Sequence, residues 1–229
     1  MLSAVDERAT ALAVWRDAGS FIRRHPVATL IPAAFLGMLI ELPYLLPDSR
    51  YVLQDILAYL VQAFAFYLYV AYAEQVTLEA ETAGYISHST VLRRLLSAVP
   101  DVPLVIAASV AAIALPTVAA GLLAIPGLWV LTRWVLFAPA IVREGVGPSA
   151  ALRRSAWLVE GHFELVFLTA AFAVILEEAL LGVGAYIGLI VTGSESWGEW
   201  AGGSVAVILV LPLASFTTAL TYRLLSHQE

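Results

Sequence analysis

The chain contains no cysteine and no lysine. The first absence excludes disulfides and thiolate metal sites and leaves the redox compartment unreadable. The second makes all 12 cationic side chains arginines; with the abundant Ala, Leu and Val, this composition fits a GC-rich prokaryotic genome. Charge of either sign is scarce. Only 13% of residues are charged and 61% are hydrophobic, whereas a soluble domain is nearer a quarter charged and half apolar. With a mean hydropathy of +0.86, these values point to a polytopic membrane protein rather than a large soluble core. The net charge of −6 excludes a nucleic-acid binder that works through a basic face.

Catalytic signatures are also missing. The chain has no nucleophile elbow, no P-loop and no dinucleotide glycine motif. His25, His88, His162 and His227 show neither H-x-x-x-H nor H-E-x-x-H spacing, so no metal site is expected. Gly145-Val146-Gly147-Pro148 reads as a helix start with proline in the first turn. No cofactor and no enzymatic activity are expected. The N-terminus lacks the pattern of a secretory signal: Asp6, Glu7, Arg8, Arg16 and Asp17 are scattered through it, and no small-residue cleavage site follows.

What is present is a series of apolar runs. Six spans are expected near 27–46, 52–73, 102–121, 123–142, 164–191 and 203–223, each near the ~20 residues that a bilayer requires. Before the first, residues 6–24 form an amphipathic pattern. Ala11, Val14, Trp15, Ala18, Phe21 and Ile22 fall on one side at helical spacing, and Arg16, Ser20, Arg23 and Arg24 on the other. This segment is too polar to span and is expected to lie in the interface. Residues 85–100 and 147–160 repeat the design: Arg93-Arg94 and Arg153-Arg154 sit opposite apolar faces, as Arg23-Arg24 does. The fold class expected is therefore all-α: one integral membrane domain over 1–229, with six transmembrane helices in three hairpins, each hairpin preceded by an interfacial helix. The alternative is that these basic pairs merely flank membrane helices as plain anchors, without a true repeat.

Arginine placement sets the orientation. With the N-terminus inside, Arg8, Arg16, Arg23, Arg24, Arg93, Arg94, Arg143, Arg153, Arg154 and Arg223 lie on the inner side and Arg50 on the outer. Both termini are expected in the cytoplasm of a prokaryote, with the chain in its plasma membrane. Pro47-Asp48-Ser49-Arg50 and residues 193–200 read as loops, the latter with Trp197 and Trp200 in the aromatic belt. Pro32, Pro43, Pro116, Pro139 and Pro212 interrupt spans, which requires neighbours to satisfy the freed carbonyls. Gly182, Gly184 and Gly188 form a small-residue track for close helix approach.

Three charges fall inside spans. Arg133 lies near the middle of the fourth; Glu177 and Glu178 lie near the middle of the fifth. A mid-bilayer charge costs roughly 2.5–3.5 kcal/mol on insertion scales, so such groups pair in the protein interior. Arg133 with Glu177 or Glu178 is the expected pair, serving as a helix lock or as a polar site for a headgroup, an ion or a proton. Glu41 and Asp55 lie toward the outer side near Arg50, and Gln62 is expected to make an interhelical hydrogen bond. Arg23, Arg24, Arg93, Arg94, Arg153 and Arg154 are placed to face lipid headgroups, each charge worth about 1 kcal/mol at an anionic surface.

One stretch also resembles a known pattern. Arg133, Pro139-Ala140-Ile141-Val142, Glu144-Gly145, Gly147-Pro148, Ala151-Leu152-Arg153-Arg154-Ser155, Trp157 and Gly161 resemble the signature of the six-span membrane domain found with some glycerophosphoryl diester phosphodiesterases and in related stand-alone prokaryotic proteins. Thr217-Thr218-Ala219-Leu220-Thr221-Tyr222 is similar to that family's last span, although Arg223-Leu224-Leu225 stands where the family usually has Asp-Leu-Arg. The resemblance implies the six-helix membrane domain and not the phosphodiesterase, whose activity belongs to a separate barrel for which this chain has no room. The function expected is a non-enzymatic membrane protein whose partners are membrane lipids, a second copy or another membrane protein. The alternative is a small transporter or channel using Arg133, Glu177 and Glu178.

Overall fold

The structure is a computed structural model that describes residues 4–45, 51–83 and 124–227. The expected interfacial helix at 85–100, with Arg93 and Arg94, and the span at 102–121 lie outside the described residues. Every regular element described is helical: α1 (Ala4–Arg24), α2 (Pro26–Ile40), a 3-10 turn (Leu42–Leu45), α3 (Tyr51–Ala83), α4 (Ala124–Trp134), α5 (Phe137–Glu144), α6 (Pro148–Val159), α7 (Phe163–Thr192) and α8 (Glu195–Ser226). Among them α7 and α8 are long and apolar enough to cross a membrane, which points to a membrane location.

α8 is the axis of the described bundle and packs on α7, α2, α3 and α1. Small residues make this possible. Gly184 and Gly188 of α7 meet Gly202 and Gly198 of α8 so closely that a Cβ at any of the four would overlap the facing backbone. Without a hydrophobic force between helices in lipid, such backbone approach is a main source of packing energy. Gly182, the third member of the expected track, faces open space. At 100° per residue it points away from the stripe that Gly184 and Gly188 share.

Two expected boundaries change. Residues 193–200 are not a loop. Gly193 turns the chain in the left-handed region (φ 67°), Ser194 is extended, and α8 begins at Glu195. The expected span at 27–46 is α2 followed by the 3-10 turn. Pro43 explains the stop, because it cannot donate to a continuing helix and it biases Leu42 away from the α region.

Pro32 inside α2 leaves the carbonyl of Ala28 without its helical donor. The Tyr72 hydroxyl of α3 donates to that carbonyl at 2.7 Å, and the Tyr69 hydroxyl donates to the carbonyl of Thr29. The neighbouring helix thus compensates the proline, as packing in lipid demands.

α4 and α5 continue each other across a break at Val135–Leu136. Ser155 of α6 bridges the break: its hydroxyl donates to the carbonyl of Arg133 at 2.7 Å and accepts from the amide of Leu136 at 3.1 Å. Gly145 caps α5 in the left-handed region (φ 64°), where only glycine is free of Cβ strain. The chain then bends by 119° between Leu128–Glu144 and Pro148–Val159, so α6 folds back along the helix pair that precedes it.

Candidate functional site

The polar residues of the described chain fall into three groups. The first gathers where α3, α5, α6 and α8 meet. Glu74 of α3, with its side chain fully buried, accepts from the Arg143 guanidinium of α5 at 2.9 Å. Glu144 Oε1 accepts from Arg154 Nε at 2.7 Å and from the Tyr222 hydroxyl at 2.6 Å. Arg223 forms an ion pair with Glu81 near the end of α3. Charge-assisted hydrogen bonds of this kind are roughly twice as strong as neutral ones, and they tie four helices at one end. Glu144, Arg154 and Tyr222 all belong to the resembling pattern, and Ser155 and Arg133 of the same pattern meet at the helix break.

The second group is Arg133 and its surroundings. Its guanidinium stacks over the Trp129 ring at 4.8 Å. A cleft of about 220 Å³ is lined by Trp129, Arg133, Val159, Glu160, Gly161 and Phe163. Arg133 therefore sits beside the junction where α6 ends and α7 begins. Among the described residues no ion pair joins it to Glu177 or Glu178, and the expected pairing is not formed. The reason is distance along the helix: Glu177 lies 14 residues beyond Phe163, about 21 Å at 1.5 Å per residue. The bend at Gly145 and the return of α6 bring the start of α7 to the level of Arg133, so equal depth cannot be read by counting along the chain.

The third group lies farther along α7. The Gln62 amide donates to Glu177 Oε1 at 2.7 Å, which is the interhelical bond expected of Gln62. Glu41, buried at the end of α2, faces Gly203 and has Glu177 and Glu199 as charged neighbours. Glu178 is exposed on α7. Asp55 lies in α3.

The arginines expected to face headgroups differ in their surroundings. Arg23, Arg24 and Arg153 are exposed. Arg24 bonds back to the carbonyl of Ser20 at 3.3 Å and to its hydroxyl at 3.2 Å. Arg154 carries both the bond to Glu144 and a stack over exposed Trp157 at 4.9 Å. The opposite face of α1 is buried: Ala11, Val14 and Ala18 are covered, Trp15 meets Phe172 edge-on at 4.7 Å, and Phe21 meets Phe216 at 4.8 Å. α1 and α6 also end alike. His25 precedes α2 at φ −129° and His162 precedes α7 at φ −128°, each in the N-cap position without a side-chain cap. Partial burial, then the neighbouring Arg24 charge, holds the His25 imidazole below its ordinary range.

Glu74 escapes a sequence reading, and Ser155 enters one only as a member of the resembling pattern, without a role. Glu74 is one acid at the end of an apolar run, where a solvated position is the simpler expectation. Ser155 breaks the apolar face of its helix, and only its partners at Arg133 and Leu136 explain it. Among the described residues no cluster of three or more His, Asp or Glu side chains could hold a metal ion. Comparison with protein-family models, with curated proteins and with solved structures finds no match.

Proposed function

We propose that this chain is a six-span, non-enzymatic protein of a prokaryotic plasma membrane that acts by engaging anionic lipid headgroups through its arginine-bearing face. In this reading three hairpins each follow an interfacial helix, and both termini are cytoplasmic. The observation that carries it is the likeness of α1 and α6. Each buries one face against the bundle, presents exposed arginine on the other (Arg23 and Arg24 on α1, Arg153 on α6), and passes through a histidine into an apolar helix. Arginines held at headgroup level add about 1 kcal/mol of attraction each on an anionic surface. The resemblance of residues 133–161 to the six-span membrane domain family supports the same architecture.

The test is thermal unfolding of the full chain in nanodiscs of phosphatidylcholine with and without phosphatidylglycerol. The anionic discs should raise the midpoint at low salt, and added salt should remove the gain. Equal midpoints at low salt would remove the lipid-engaging function. Because the chain has no cysteine, single introduced cysteines report sidedness without background. Labelling the head and tail from opposite sides would overturn the six-span topology.

A transporter is the second reading. It draws on Glu41 and on the Glu177–Gln62 contact rather than on an Arg133 pair. Flux into proteoliposomes that Glu177→Gln abolishes would favour it.

A further inference from the structure

We infer that the cleft beside the α6–α7 junction seats the phosphate of one anionic lipid, held by Arg133. The inference rests on the lipid-engaging function proposed above and narrows it to a single site.

Arg133 is the cation of this cleft. Its guanidinium carbon lies over the Trp129 ring, 4.8 Å from the centroid, and among the described residues no carboxylate lies within ion-pair distance of it. Arg143 and Arg154, in contrast, are each committed to a glutamate. A guanidinium held on one face by an aromatic ring keeps its edge donors for a planar or tetrahedral oxyanion. The cleft, at about 220 Å³, is several times the ~30 Å³ share of one water, which leaves room for a phosphate and the first atoms of its ester arms.

The rim favours lipid over free phosphate. Trp129 and Phe163 are 49% and 37% exposed, which suits aromatic rings at headgroup depth. Phe163 stacks on Phe167, and Val174, on the same side of α7 at 100° per residue, continues an exposed apolar surface where an acyl chain can lie. Glu160 is also in the lining and is exposed. Its carboxylate opposes a dianion and tolerates the single charge of a phosphodiester, which is what a glycerophospholipid carries.

Native mass spectrometry of the detergent-solubilised full chain, titrated with phosphatidylglycerol, phosphatidylcholine or inorganic phosphate, tests the assignment. Wild type should retain a phosphatidylglycerol adduct about fivefold more tightly than phosphatidylcholine, and inorganic phosphate in excess should not displace it. Arg133→Gln should weaken the adduct about fivefold, the value of one headgroup-level charge. Arg133→Lys, which keeps the charge and loses the planar fork, should restore only part of it, and Arg50→Gln, which removes the arginine expected on the outer side, should leave it unchanged. Should Arg133→Gln not fold, Trp129→Leu carries the same expectation through loss of the stacked ring. Equal losses in Arg133→Gln and Arg50→Gln, or none in either, would overturn the site while leaving general lipid engagement intact. Displacement by inorganic phosphate would overturn the lipid assignment. Failure of every lipid to form an adduct with wild type would instead remove the proposed function itself.

Discussion

α7 and α8 have nearly the same length, and their most apolar windows nearly the same mean hydropathy, yet they are used in opposite ways. Against the described residues, 67% of the most apolar window of α8 is buried and 11% of that of α7. Hydropathy therefore reports that both suit a bilayer and says nothing about which faces protein. Residue size and hydroxyl content carry that information. α8 buries Gly198, Gly202, Gly203, Ser204, Ala206, Ala214, Ser215, Thr217, Ala219 and Thr221, the small and hydroxyl residues that let helices approach in lipid. α7 exposes Val174, Ile175, Val183, Ile187, Ile190 and Val191, branched residues for which acyl chains are as good a neighbour as protein.

The contrast breaks most easily by truncating matched apolar side chains. Phe216 on α8 is fully buried and packs between Phe21 and Tyr69. Phe216→Ala should cost about 4 kcal/mol through the cavity it leaves, whereas Ile187→Ala on the open face of α7 should stay within about 0.5 kcal/mol. Reversible unfolding in mixed micelles, read by tryptophan fluorescence, measures both. Equal losses would mean that α7 is as buried as α8. Gly202→Val is expected to cost about 3 kcal/mol, because its Cβ would meet the backbone of Gly184 and neither backbone can yield cheaply. Gly182→Val, with nothing near its Cβ, should be nearly neutral. The same pair of unfolding curves decides it, and a neutral Gly202→Val would mean that the two helices do not approach through these glycines.

This contrast also explains what a reading of the letters reaches. The amphipathic α1, the turn near Gly145 and the α6 that follows it are legible, because periodicity, arginine position and a glycine–proline pair each have a local cause. Residues 193–200 mislead because Gly193, Ser194, Ser196 and Gly198 have loop-like composition, while the structure uses Gly198 for close contact inside α8. Arg133 misleads for a geometric reason: depth counted along the chain fails once the chain bends by 119° and α6 returns beside α4. Glu74–Arg143 is hidden because the two residues are 69 positions apart and neither belongs to a motif. The Gln62 bond is legible, since a lone amide inside an apolar span has few other uses.

The smallest effect sharpens the comparison at the polar ends of the same two helices. Tyr222 near the end of α8 is fully buried, and its hydroxyl donates to Glu144 Oε1 at 2.6 Å. Thr192 ends α7 as an exposed residue whose hydroxyl donates back to the carbonyl of Gly188 at 2.8 Å. Tyr222→Phe keeps the ring and removes one hydrogen bond to a carboxylate, which costs about 2 kcal/mol when the acceptor is charged. Glu144 retains Arg154 as a partner, so the loss should stay below that of a stranded buried charge. Thr192→Val removes only exposed local bonds, to Gly188 and Ser194, that water replaces, and should shift stability by less than about 0.5 kcal/mol. A double-mutant cycle of Tyr222→Phe with Glu144→Gln separates the contact from its surroundings. A coupling near zero would mean that α8 is held at this end by apolar packing alone, and the distinction between the two helices would then rest on their glycines and aromatic contacts.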